Sequence, residues 1–199
     1  MEQRSPEWFA ARIGLVSASR VSDVMAKGKG ITRTAYMTQL ITEKLTGQPT
    51  ETFVTREMQW GIDQEDAARA WAGAKLGEMV QEVGFIRHPT LEAGASPDGL
   101  IGDDAVLEIK APASHTHLDW ILTDTIPSKY VQQLQWQLAC TQRKVGWFCS
   151  FDPRMPANLQ CWLKRVERDD QLIAELEEEV KAFTAEMQSK IKQLEEMKL

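Results

Sequence analysis

The stretch Ser96–Pro112, SPDGLIGDDAVLEIKAP, decides how the rest of the chain is read. Its second half, AVLEIK (105–110), has the apolar run of a strand and yet carries Glu108 and Lys110. Strand alternation places Val106, Glu108 and Lys110 on one face and Leu107 and Ile109 on the other. Upstream, Pro97 and Gly99 mark a turn around Asp98, and a hairpin through Gly102, Asp103 and Asp104 would return the chain so that Asp98 lies beside Glu108. Two carboxylates on adjacent strands make a hard, oxygen-rich donor pair suited to Mg²⁺ or Mn²⁺, which keep some coordinated water. A lysine beside them can orient or deprotonate such a water and offset charge in a transition state, and hydrolysis of a phosphodiester needs all three groups. Alone, a Glu-x-Lys strand end reads more readily as a solvated strand terminus.

Outward from this hairpin the pattern predicts a mixed sheet with helices on it. Strands are expected at Val80–His88, Ala105–Ile109, Val145–Phe151 and Leu159–Val166, with helices at Ser114–Leu122 and Ser128–Cys140 between the second and third. The N-terminal part reads as helical. Ser5-Pro6 starts one helix, Ser19–Ala26 forms another, Arg33–Leu45 a third stopped by Gly47, and Thr55–Leu76 a fourth, with Trp60, Ala67, Ala68 and Trp71 inside and Gly77 at its end. From residue 169 to the end at 199 a long amphipathic helix carries Leu172, Ile173, Leu176, Val180, Phe183, Met187, Ile191 and Leu194 on one stripe, expected to pack on the same domain. A length of 199 residues suits a single domain, 1–199.

Composition narrows the class. No apolar run is long enough to span a bilayer and the N-terminus has no signal-peptide h-region, so a cytoplasmic protein without membrane partners is expected. Cys140, Cys149 and Cys161 fall in apolar segments and read as buried free thiols. The net charge of −6 argues against a nucleic-acid partner until its distribution is considered. Residues 167–199 carry ten acids and five bases, whereas Met1–Gln48 carries seven bases and four acids, enough for a local phosphate-binding region. His115 and His117, two residues apart, do not share a helix face as zinc ligands would. KGKG (27–30) lacks the Walker spacing, and Trp71, Trp136, Trp147 and Trp162 sit in periodic apolar segments as core residues do.

Further groups converge on the hairpin. Glu65, in WGIDQEDAAR, adds a third carboxylate from a helix, and Tyr130 and Gln133, in KYVQQLQW, lie three apart on one face of a later helix. With EWFAARIGLVSAS (7–19), WGIDQEDAAR (60–69), ASPDGL (95–100), LEIKAP (107–112), KYVQQLQW (129–136) and WFCSFDPRM (147–155) in order, the chain resembles the lambda-phage exonuclease family, the YqaJ-type viral recombinase nucleases. The resemblance implies a restriction-endonuclease-like α/β core with a central mixed sheet flanked by helices. It implies a Mg²⁺-dependent exonuclease, with Mn²⁺ as a substitute and one or two ions per site, that digests one strand of linear double-stranded DNA from 5′ to 3′. Mononucleotides would be released and a 3′ overhang left for recombination. It also implies a ring-shaped homotrimer acting in a bacterial host with a phage single-strand annealing protein. Residue by residue, it implies that Asp98, Glu108 and the carbonyl of Ile109 hold the metal and that Glu65 serves a second metal position. Lys110 handles the attacking water, Gln133 helps position it, and Arg12, Ser19 and Ser96 bind the 5′-terminal phosphate. In the loop AKGKGITRTAY (26–36), shorter than in the lambda-phage enzyme, Lys29 and Arg33 are candidate DNA contacts. The iron–sulfur relatives need four cysteine ligands, more than this chain has. The alternatives are an endonuclease or single-strand nuclease with the same site, or a non-catalytic DNA-end-binding protein.

Overall fold

The computed structural model of the protein describes residues 1–26, 30–50 and 53–197. Helix α1 (Pro6–Arg12) starts as expected, with Pro6 at its first position and the Ser5 hydroxyl accepting from the Trp8 amide at 3.2 Å. A two-residue strand β1 (Val16–Ser17) and a 3₁₀ turn (Ala18–Arg20) lead into α2 (Val21–Met25) and α3 (Ile31–Thr46). Helix α4 (Arg56–Leu76) is capped by the Thr55 hydroxyl and ends at Gly77 in the left-handed region, φ 68°. Its buried residues are Glu65, Ala68, Arg69 and Ala72, so Ala67, expected inside, is exposed. The buried face is shifted because α4 turns an ion pair, rather than a wholly apolar stripe, toward the sheet.

The main sheet has five strands, ordered β2 (Val80–Gln81), β5 (Gly99–Ile101), β6 (Ala105–Lys110), β7 (Val145–Phe151) and β8 (Cys161–Glu167). Strands β6 and β7 run parallel, with Lys110 opposite Ser150, because α5 (Ser114–Thr123) and α6 (Ser128–Thr141) cross between them; the other pairs are antiparallel. A second sheet of three short strands orders β1, β4 (Ala93–Ala95) and β3 (Ile86–Arg87).

The single strand expected over Val80–His88 is thus two, β2 and β3, in different sheets. The break has a local cause. The Val83 carbonyl accepts from Gln3 Nε2 at 2.9 Å instead of joining a ladder. At Gly84 the Met1 carbonyl oxygen lies 2.4 Å from where a Cβ would stand, so only glycine lets residues 1–3 cross here.

Helix α4 covers one face of the main sheet, with Ala68 and Ala72 against Leu107, Ile109, Cys149 and Phe151. Leu134 and Leu138 of α6 cover the other face at Val106 and Phe148. The tail helix α7 (Asp170–Glu195) buries Leu176, Val180, Phe183 and Met187 against Trp136, Tyr36 and the small sheet, so its apolar stripe packs on its own chain. Leu194, at the end of that stripe, is exposed. The three cysteines are free and buried. His117 is also buried: its Nε2 donates to the Leu159 carbonyl and its Nδ1 faces the Ser150 hydroxyl, each at 2.7 Å, a role that joins β7 to the turn before β8. Among the described residues no helix is long and apolar enough to cross a membrane.

Candidate active site

The hairpin β5–β6 forms in the expected register, with Gly99 opposite Leu107 and the Asp98 amide donating to the Leu107 carbonyl at 3.0 Å. Asp98 lies just beyond the last β5 pair, and its Oδ2 accepts from the Ile109 amide at 2.6 Å. A strand residue points its N–H and C=O to the same side. The Ile109 carbonyl therefore opens toward Asp98, where β5 has ended.

Glu108 is almost wholly enclosed, and each of its oxygens is held. Lys110 Nζ and Gln133 Nε2, the latter at 2.6 Å, donate to Oε1, while Gln137 Nε2 donates to Oε2. Gln133 and Gln137 stand one helical turn apart on the face of α6 that meets β6. Lys110 Nζ also lies 5.2 Å from the centre of the Tyr130 ring.

Glu65 reaches the same region from α4. Its Oε1 accepts from Arg69 Nη2 at 2.8 Å and its Oε2 from Arg4. Arg69 in turn donates its Nε to the Asp98 carbonyl at 2.9 Å, tying α4 to the hairpin.

Charge is unevenly compensated here. Burial, then Glu108, pushes the Asp98 carboxyl well above its usual range, and Glu65 adds to this against Lys110 and the Ile109 amide. Burial would lower the Lys110 ammonium, but Glu108 and Asp98 outweigh it and hold the group above the ordinary lysine range. Lys110 therefore carries its proton in this arrangement. Buried carboxylates that repel one another, with a main-chain carbonyl alongside, form an all-oxygen donor set that fits Mg²⁺, which binds through one or two carboxylates and keeps waters for the rest. Among the described residues no three His, Cys, Asp or Glu side chains stand close enough together to hold one ion, so the donor set here is the Asp98 and Glu108 pair with the Ile109 carbonyl. His117 is engaged instead by the Ser150 hydroxyl and the Leu159 carbonyl.

A cavity of about 190 Å³ joins this centre to the N-terminal elements; its walls include Arg12, Ser19, Ser96, Asp98, Glu108, Lys110 and Gln133. Seven of the expected site residues thus line one space; Glu65 is not among its walls and is tied to it through Arg69, which also donates to the Asp98 carbonyl. Trp8 orders the side of the cavity that carries Arg12 and Ser96, since its Nε1 donates to Ser96 Oγ at 2.9 Å and its ring carries the Arg12 guanidinium 3.8 Å from its centre. Ser19 Oγ is 3.3 Å from Ser17 Oγ. Burial lowers the Arg12 guanidinium, opposed by Tyr36 and Glu43, yet an arginine keeps its charge at neutral pH.

Arg33 does not join this space: its Nη1 donates to Glu186 of α7 at 2.8 Å and its guanidinium lies over the Phe183 ring. Lys29 lies outside the described residues. Sequence reasoning missed Gln137, Arg69 and Arg4. The first two were within reach of helical spacing, each four residues after a site residue already singled out. Nothing in the sequence pattern marks Arg4.

Residues 7–144, which hold nearly all of this constellation, match the YqaJ-like viral recombinase domain. The chain belongs to the YqaJ-like viral recombinase family. Among solved structures it is similar to an alkaline exonuclease from Laribacter hongkongensis, with 47% identity, 96% of each chain covered and a TM-score of 0.91. The same enzyme in complex with dAMP matches equally well. A phage-related exonuclease from Haemophilus somnus shares the fold at 15% identity, with a TM-score of 0.74 over 90% of this chain and 96% of that one. The restriction-endonuclease-like expectation of a mixed sheet between helices agrees with these neighbours. No curated protein matches the chain.

Proposed function

We propose that the protein is a Mg²⁺-dependent exonuclease that degrades one strand of linear double-stranded DNA from its 5′ end. The observation that carries this reading is the single cavity in which Asp98, Glu108 and Lys110 face Arg12, Ser19 and Ser96. Hydrolytic groups and a phosphate cradle in one space favour catalysis over end binding alone. They also favour an end over an internal site, because a terminal phosphate held by Arg12 and two hydroxyls places the next phosphodiester at the carboxylates. The 47% identical relative is an exonuclease solved with a nucleoside monophosphate, which agrees with a mononucleotide product.

Asp98, Glu108 and the Ile109 carbonyl would hold the metal, Glu65 would serve a second position, and Mn²⁺ would substitute. A bound Mg²⁺ supplies Lewis acidity at a phosphoryl oxygen and lowers the pKa of coordinated water. Gln133 spends its amide N–H on Glu108, leaving its carbonyl oxygen to accept from the attacking water. The protonated Lys110 offsets negative charge on the phosphoryl group and donates to that water or to a phosphoryl oxygen. Water adds to phosphorus, the bond to the 3′-oxygen of the released nucleotide breaks, and that oxygen takes a proton from solvent. The new strand end keeps a 5′-phosphate, which is what the Arg12 cradle binds next, so successive turnovers follow naturally.

By family the enzyme would work as a ring-shaped homotrimer, the duplex threaded into the ring, together with a phage single-strand annealing protein that takes the 3′ overhang. The deciding assay incubates the protein and Mg²⁺ with linear duplex bearing a 5′-phosphate or a 5′-hydroxyl, and with closed circular DNA. Mononucleotide release from the phosphorylated linear duplex, and none from the circle, is expected; equal cutting of the circle would indicate an endonuclease, and no cutting of either an end-binding protein. Light scattering gives the oligomeric state, and a monomer would remove the ring.

A further inference from the structure

Two arginines converge on Glu65, and they are not equivalent. Arg69 is nearly enclosed, and each of its nitrogens is engaged: Nε with the Asp98 carbonyl, Nη2 with Glu65 and Nη1 with Asp66, the last two at 2.8 Å. Arg4 places only Nη2 on Glu65 and has no other polar side-chain partner among the described residues. Its side chain is 43% exposed. It lines a larger cavity, of about 340 Å³, that shares Trp8, Arg12, Ser17 and Ser19 with the active-site space.

The backbone at Arg4 is unusual as well. Its φ is 67°, a left-handed conformation that any residue with a Cβ resists. The neighbouring Gln3 enforces it, because Gln3 Nε2 donates both to the Pro97 carbonyl, just before Asp98, at 2.8 Å and to the Val83 carbonyl, between β2 and β3, at 2.9 Å. Strained backbone persists where surrounding contacts over-determine it, and here it aims a half-exposed guanidinium into the cavity.

We propose that Arg4 is a DNA-binding residue that exchanges Glu65 for a backbone phosphate of the bound strand, leaving Glu65 Oε2 open only when DNA is present. This rests on the nuclease reading above and deepens it. Guanidinium pairs with carboxylate and with phosphate by the same charge-assisted hydrogen bonds, so the exchange needs no new chemistry. A contact through one nitrogen at a half-exposed side chain is weak enough to be given up. Arg69 stays on Oε1 and keeps Glu65 in place. Glu65 already acts on the Asp98 carboxyl through space, so an uncovered oxygen on it adds negative charge near where a cation is to bind; DNA and divalent cation then favour each other's binding, and the coupling is reciprocal.

The test uses the full chain carrying Lys110→Ala to stop turnover, with 5′-phosphorylated duplex in Mg²⁺ and a salt titration read by fluorescence anisotropy. Arg4→Gln should weaken binding and lower the slope of log K against log salt by about one, the loss of one phosphate contact. Calorimetry without DNA should show Arg4→Gln binding Mn²⁺ more tightly than the parent, since Oε2 is uncovered. An unchanged salt slope, or weaker Mn²⁺ binding, overturns the proposal. If Arg4→Gln does not fold, Arg4→Lys decides: it keeps the charge and the slope but loses planar pairing with Glu65, so Mn²⁺ affinity should rise, and unchanged affinity overturns the idea. An unmutated protein that leaves linear duplex intact refutes the nuclease reading itself; one that degrades it while Arg4→Gln keeps the parental slope refutes the role of Arg4 alone.

Discussion

Replacing Gln137 by leucine keeps the size of a fully enclosed side chain and removes one donor to Glu108. A hydrogen bond to a charged group contributes about 1.5–3 kcal/mol, and its loss leaves Glu108 Oε2 without that partner. The same change deletes Gln137 Oε1, a buried oxygen with no partner among the described residues, which returns about 1 kcal/mol. The net loss is about 0.5–2 kcal/mol, or roughly 1–8 °C in Tm for a chain of this size. The effect on the metal should be larger in proportion. Glu108 keeps Lys110 and Gln133 on Oε1 but loses the group that fixes Oε2, and partners of this kind are worth about 10–100-fold in metal affinity. Thermal unfolding gives the first quantity, and Mn²⁺ titration by calorimetry without DNA gives the second. A Gln137→Leu protein with unchanged Tm and unchanged Mn²⁺ affinity would refute the reasoning, because Gln137 would then neither stabilise nor orient Glu108.

Other perturbations test other parts of the structure. Lys110→Ala should abolish turnover while duplex binding stays measurable, and full activity would remove Lys110 from the mechanism. Phe183→Ala, at a fully buried residue stacked 5.8 Å from Tyr36, should cost about 3–5 kcal/mol and appear in urea unfolding. Gly94→Ala puts a Cβ 2.6 Å from the Ile86 carbonyl oxygen and 2.3 Å from Phe85 Cζ. Since a backbone oxygen cannot swing aside, the small sheet should lose about 1–3 kcal/mol, measured the same way. Cys140, Cys149 and Cys161 should resist a thiol reagent in the native protein and all react once it is unfolded; rapid native labelling would contradict their burial.

Much of the site was legible because its parts obey short-range rules. Alternation along AVLEIK put Glu108 and Lys110 on one face, and the hairpin through Gly102 brought Asp98 to Glu108, as found. Where an element's neighbours set its limits, the reading was less complete. Nothing within Val80–His88 announces that residues 1–3 cross it at Gly84 and split one strand into two. The inner face of α4 was placed by apolar periodicity, which cannot anticipate that Glu65 and Arg69 would be buried together.

Most helices, the β5–β6 hairpin and the family resemblance are written in strand period, caps and motif spacing, which are local properties of the chain. Which charges meet is set by packing. It set Arg33 against Glu186 rather than the cavity, gave Glu108 a second amide from Gln137, and carried Arg4 across to Glu65. Those pairings join residues 29 to 153 positions apart, and the packing of helices on the sheet, rather than any spacing along the chain, brings them within hydrogen-bonding distance.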